Sequence, residues 1–109
     1  MGATKTDFFT NEQNDLASFT KALGHPARIA ILQHLLKVQS CVCGDIVNEL
    51  PLAQPTVSQH LKELKNAGII KGTIEGNAIC YCIDETTWNR YKNILENLFG
   101  SYKSNVKCC

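Results

Sequence analysis

Six of the 109 residues are cysteines, and they fall in three close pairs: Cys41/Cys43, Cys80/Cys82 and Cys108/Cys109. A thiolate is both a nucleophile and a soft metal ligand, so paired thiols point to a thiophilic ion or to disulfide chemistry. The start, Met1-Gly2-Ala3-Thr4-Lys5-Thr6, has no apolar stretch after its lysine, which speaks against a secretory signal. The expectation is therefore a reducing, cytoplasmic compartment in which the thiols are free. Each pair also has a plainer reading. Cys41 could be a small buried apolar residue, Cys80 and Cys82 could fill space, and Cys108/Cys109 could be an incidental tail.

The rest of the composition sets bounds. The length allows one domain with one core, and 44% apolar with 19% charged residues is ordinary for a globular chain. No apolar run approaches the ~20 residues of a membrane helix, so no membrane partner is expected. A formal charge of +1 neither supports nor excludes nucleic acid. No glycine-rich phosphate loop, nucleophile with a placed base, or open zinc motif appears, so no catalytic residue is assigned and an enzyme is not expected.

The elements that must position the thiols can be read in order. Residues 1–7 are polar and expected to be loose, residues 8–102 form the domain, and residues 103–109 are a tail carrying the last cysteine pair. Phe9, Leu16, Phe19 and Leu23 suggest a first helix ended by Gly24. His25-Pro26 opens a second, with proline where the missing N–H costs nothing and Ile29, Leu32, Leu35 and Leu36 as its buried stripe. A short third helix is expected to begin at Cys43-Gly44-Asp45, before a turn at Pro51-Leu52-Ala53. A fourth, entered through Pro55, buries Val57, Leu61 and Leu64 and stops at Gly68. The period then changes to alternation. Ile70, Gly72 and Ile74 lead to a turn at Gly76-Asn77, and the return strand Ala78 to Ile83 puts Cys80 and Cys82 on one face. A last helix, roughly 86–102, carries Trp88, Tyr91, Leu95, Leu98 and Tyr102 at heptad steps, which suggests a homodimer seam shared with the first helix.

Two short helices joined by a tight turn, the second polar outside and followed by a hairpin, make a winged helix-turn-helix. The fold expected is mainly α with a β-hairpin wing. In such a unit the second helix lays its first residues on base edges of double-stranded DNA. Here those are Gln54, Thr56, Ser58, Gln59 and His60, with Lys62 and Lys65 able to hold phosphates. Glutamine pairs two-pronged with adenine, and the helix N-terminus itself attracts a phosphate.

Residues 22–83 resemble the ArsR/SmtB family of bacterial metal-responsive repressors. The likeness rests on Ala22-Leu23-Gly24-His25-Pro26-Ala27-Arg28-Ile29-Ala30-Ile31-Leu32, Cys41-Val42-Cys43-Gly44-Asp45-Ile46, residues 64–70 and 75–81 and, above all, Gln54-Pro55-Thr56-Val57-Ser58-Gln59-His60-Leu61-Lys62. The resemblance implies a homodimer that binds a palindromic operator and leaves it when an inducer binds. Two positions depart from the family pattern. Ala53 stands where a capping serine is common, a loss of ~1 kcal/mol, and Asn77 stands where a wing-tip arginine is frequent. Gly2 with Thr6, and Cys108-Cys109, also match lipidation patterns, but these need eukaryotic transferases and the chain reads as bacterial.

The family senses ions at several places. Its zinc sites on the last helix use Asp and His, and here Asp84 and Glu85 are followed by no histidine. Cys41-Val42-Cys43 matches the Cys-Val-Cys of the arsenic, cadmium and lead sensors, which makes Cys41 and Cys43 the metal-ligand candidates. No resident cofactor is required; the inducer expected is trivalent arsenic or an organoarsenical. Residues i and i+2 of a helix diverge by about 200°, so the pair converges only if Cys41 precedes the helix or its first turn opens. Ile46 occupies the place of the usual third cysteine, which leaves Cys108 or Cys109 as a third ligand. The alternatives are a cadmium or lead sensor, or a thiol-redox or sulfur-sensing repressor of the same fold.

Overall fold

The computed structural model describes residues 8–43, 50–76 and 78–104. Helix α1 (Asn11–Leu23) begins at Thr10, whose hydroxyl accepts from the Gln13 amide while the Gln13 side chain accepts from the Thr10 amide. This capping box satisfies two helix-end donors at once and starts the helix despite the polar run 11–15. Helix α2 (Pro26–Val38) is capped by His25, whose Nδ1 accepts from the Ala27 amide at 3.0 Å. Its buried stripe is Ala27, Ile31, Leu32 and Leu35. Two of the four stripe residues read from the sequence lie outside it, Ile29 being 39% and Leu36 41% exposed. Positions 27, 31 and 35 form one i+4 row, and that row faces the core, leaving the neighbouring rows at its margin.

Strand β1 is two residues long, Val42–Cys43. Cys43 was expected at the start of a helix and stands in a strand instead; the remainder of that expected helix, 44–49, lies outside the described residues. Helix α3 (Gln54–Asn66) follows, then β2 (Ile70–Glu75), β3 (Ala78–Ile83) and α4 (Glu85–Gly100). The strands form one antiparallel sheet in the order β1-β3-β2, so the expected two-stranded wing carries a third strand at its base. The hairpin closes at Gly76, whose φ of 62° suits glycine, with Glu75 opposite Ala78.

Phe19, Ile31, Leu35, Val57, Leu64, Ile69, Ile70 and Tyr91 meet in one core. Tyr91 stacks on Phe19 at 4.3 Å between ring centres, and Arg90 pairs with Asp15, which together fasten α4 to α1. The apolar seam of α4 then divides. Trp88, Ile94 and Leu95 pack partly against the core, whereas Leu98, Phe99 and Tyr102 are exposed. Among the described residues no helix is long and apolar enough to cross a membrane.

Candidate nucleic-acid interface and thiol site

Helix α3 is fixed from within. Val57 and Leu64 are fully buried and Leu61 nearly so, which turns the opposite face outward. Gln54, Thr56, Ser58, Gln59, Lys62 and Lys65 are all exposed. Ala53 precedes the helix with no side-chain cap, as the sequence suggested, and only its carbonyl takes part, accepting from the Thr56 and Val57 amides. Gln59 donates to Glu63 one turn along at 3.0 Å, a bond that holds its amide along the helix surface. The Lys65 ammonium lies at the base of the wing, near Gly72 of β2.

His60 does not join this face. It is only 8% exposed, because position 60 borders the inward row of 57, 61 and 64. Its Nδ1 accepts from Arg28 Nε at 3.1 Å, and Arg28 also donates to the Ala22 carbonyl at 3.2 Å. The His60 ring stands 4.3 Å from that of His25. Burial, reinforced by the neighbouring His25 and Arg28, lowers the His60 pKa below the usual histidine value. His60 thus ties the α1–α2 corner to the recognition helix as a neutral ring. Sequence reading assigned it to base contact together with the other polar residues in the first half of this helix.

The thiols are gathered by the sheet. In the β1–β3 register Val42 stands opposite Tyr81 and Cys43 opposite Cys80. One step beyond, Cys41 and Cys82 are joined in a disulfide, with a Cα–Cα distance of 4.5 Å across 41 residues of sequence. Cys80 is fully buried and also disulfide-bonded. The expectation of free thiols therefore fails for Cys41, Cys80 and Cys82. Antiparallel pairing places cysteines of distant segments at bridging range, which no spacing along the chain reveals. Cys41 does precede the regular element, as convergence with Cys43 required, but its partner here comes from the wing. Cys108 and Cys109 lie outside the described residues. Among the described residues no group of three or more His, Cys, Asp or Glu side chains is placed to hold a metal ion. The donor set itself, soft sulfur without a carboxylate cage, suits a thiophilic species over a hard cation.

A cavity of about 630 Å³ opens beside the Cys41–Cys82 pair. Leu35, Leu36, Ile83 and Trp88 form its apolar wall, with Lys71 and Glu85 among its polar residues. No motif marked this cavity in the sequence, since α2, β2, β3 and α4 all contribute to it.

Comparison with known proteins agrees with this architecture. The profile of the bacterial regulatory proteins of the arsR family matches residues 25–71. An uncharacterized HTH-type transcriptional regulator of Methanocaldococcus jannaschii is 45% identical over 76 residues, 69% of this chain and 73% of that protein. A cadmium resistance transcriptional regulatory protein CadC homolog of Staphylococcus aureus is 34% identical over 96 residues, 87% of this chain and 76% of that protein. The homodimeric winged helix-turn-helix DNA-binding domain of a Mycobacterium bovis protein superposes with a TM-score of 0.63 at 21% identity, covering 89% of this chain and 90% of that one. With its recognition helix, wing and matching sequence, the chain belongs to the ArsR/SmtB family of winged-helix transcriptional repressors, DNA-binding regulators and not enzymes.

Proposed function

We propose that the protein is a cytoplasmic, homodimeric repressor that binds palindromic operator DNA and is released by a thiophilic inducer, trivalent arsenic or an organoarsenical. The observation that carries the DNA half is the two-faced α3, whose core side is closed by Val57, Leu61 and Leu64 while Gln54, Thr56, Ser58 and Gln59 stay exposed near its N-terminus. Glutamines read base edges, and Lys62 and Lys65 hold the phosphates on either side. His60 acts behind that face, supporting the helix. The exposed Leu98 and Phe99 on α4 and Tyr102 just beyond it, with Phe8 and Phe9 before α1, supply the apolar surface for a second copy. A two-fold dimer then presents two recognition helices to two half-sites.

Release works through Cys41 and Cys43, with Cys108 or Cys109 as a further ligand. Both residues of the pair sit in the segment that enters the helix-turn-helix, and β1 is hydrogen-bonded to the wing strand β3. An inducer held there changes the pairing of β1 and so the placement of wing and recognition helix. A difference of ~1–3 kcal/mol between the two states is enough for useful coupling. The Cys41–Cys82 disulfide favours a second reading, a thiol-redox repressor in which oxidation replaces ligation.

The test begins by enriching binding sites from a random duplex pool. DNA release is then titrated with arsenite, methylarsenite, cadmium, lead and zinc, and separately with peroxide. Release by arsenicals that disappears in Cys41→Ser and Cys43→Ser supports the proposal. Release by peroxide alone establishes the redox reading, and failure to enrich any duplex removes both.

A further inference from the structure

We infer that Cys41 and Cys82, once reduced, form a two-thiol site for a trivalent arsenical bearing one aryl group, with the group seated in the cavity lined by Leu35, Leu36, Ile83 and Trp88. This rests on the thiophilic reading above and moves the second thiol from β1 to the wing. Two observations together point to this pair. The two residues lie within bridging distance across the sheet, and both line the same cavity. An arsenical with one carbon substituent has two exchangeable positions, which two thiolates fill; its third valence carries the organic group. That group leaves the sulfur pair into space that is apolar and aromatic on one wall. About 630 Å³ falls within the range of small-molecule sites and exceeds what a bare arsenite ion needs. Lys71, opposite Cys82 in the β2–β3 register, also lines the cavity.

The chemistry balances in two steps. A dithiol reductant gives two electrons and two protons to the Cys41–Cys82 bond, yielding two thiols and its own disulfide. An arylarsonous acid then forms two As–S bonds and loses two As–OH bonds. Its hydroxyls leave with the two thiol protons as water, and arsenic stays trivalent throughout. The product links the strand before the helix-turn-helix to the wing through one atom more than the disulfide does. The two sulfurs must therefore part, and β1 shifts against β3.

Trp88, the single tryptophan of the chain, reports directly on the cavity. The reduced full-length protein is titrated with phenylarsine oxide and with arsenite, following Trp88 emission, and the adduct is mapped by mass spectrometry of peptides. The proposal expects one phenylarsine oxide per chain, altered Trp88 emission, and a bridge between the peptides of Cys41 and Cys82. Cys82→Ser should bind the probe about 10²-fold or more weakly, since the second bond is no longer intramolecular. Leu36→Phe, which narrows the cavity from its exposed rim and keeps Trp88 the single tryptophan, should weaken phenylarsine oxide more than arsenite. Mapping on the wild-type protein keeps the test decisive even if Cys82→Ser does not fold. A bridge from Cys41 to Cys43 or within Cys108/Cys109, or a silent Trp88, overturns the site. DNA release by arsenite that needs Cys43 and ignores Cys82 also overturns it while leaving the repressor reading intact. A Cys41–Cys82 bridge that never releases DNA keeps the site and removes the induction reading.

Discussion

Helix α3 and the β1–β3 ladder, to which the proposed function assigns DNA contact and thiol chemistry, are built by opposite routes. The helix is local: its period, its entry at Pro55 and its end before Gly68 are all written within a short stretch of chain. The ladder is non-local, joining Val42–Cys43 to a strand almost forty residues later. A local element keeps the centre of its outward face fixed by its own period, with only marginal positions such as His60 decided by what packs there. A two-residue strand exists only while its partner is in place, which is the property a switch needs.

This contrast can be tested by perturbing each side and asking whether the other responds. The largest expected effect is on the ladder. Reducing the Cys41–Cys82 bond, or replacing Cys41 with serine, should cost about 2–4 kcal/mol of unfolding free energy, given the 41-residue separation it closes. Urea melts of the wild type and Cys41→Ser without reductant measure this, since reductant would also open the bond of Cys80, and an unchanged midpoint would mean that β1 is held by other contacts. Gln59→Ala probes the helix. It should lose about 1–3 kcal/mol of discrimination between operator and unrelated duplex, with little change in the melt, because the Gln59–Glu63 bond is exposed. Equal losses on both duplexes would reduce Gln59 to a bystander.

Ala53→Ser sharpens the comparison at the helix entrance, where no side-chain cap exists. A gain of about 1 kcal/mol in stability is expected from thermal melts, with the cysteine chemistry unaffected. The smallest effect concerns pH. The folded His60 has a lowered pKa, so the unfolded chain binds its proton more readily. Stability from this group is fully present above the ordinary histidine value of about 6.5 and is lost as pH falls below it. Urea melts from pH 8 to about pH 5 should show a decline that His60→Gln flattens. An equal decline in both proteins would place the titration elsewhere.

The residues that were readable and those that were not divide along the same line. Val57, Leu61 and Leu64 were legible because a helical period of 3.6 is visible within one element. The hairpin was legible because alternation and a Gly76 turn sit side by side. His60 was misplaced because a residue at the margin of a stripe faces in or out according to what packs there, and here Arg28 and His25 receive it. Ile29 and Leu36 erred in the same way, as an apolar row of α2 for which the described residues supply no full cover.

The sequence by itself determined the order of helices and wing, the outward polar face of α3, and the presence of paired thiols. Those features depend on residues a few positions apart, whose geometry the backbone fixes. Only the tertiary structure decided which thiols meet. Cys41 and Cys43 are neighbours in sequence, but antiparallel pairing of β1 with β3 brings Cys82 to Cys41 and places both at the edge of an apolar cavity. Sheet register is set by the packing of a whole domain, and the partner of a cysteine is a property of register.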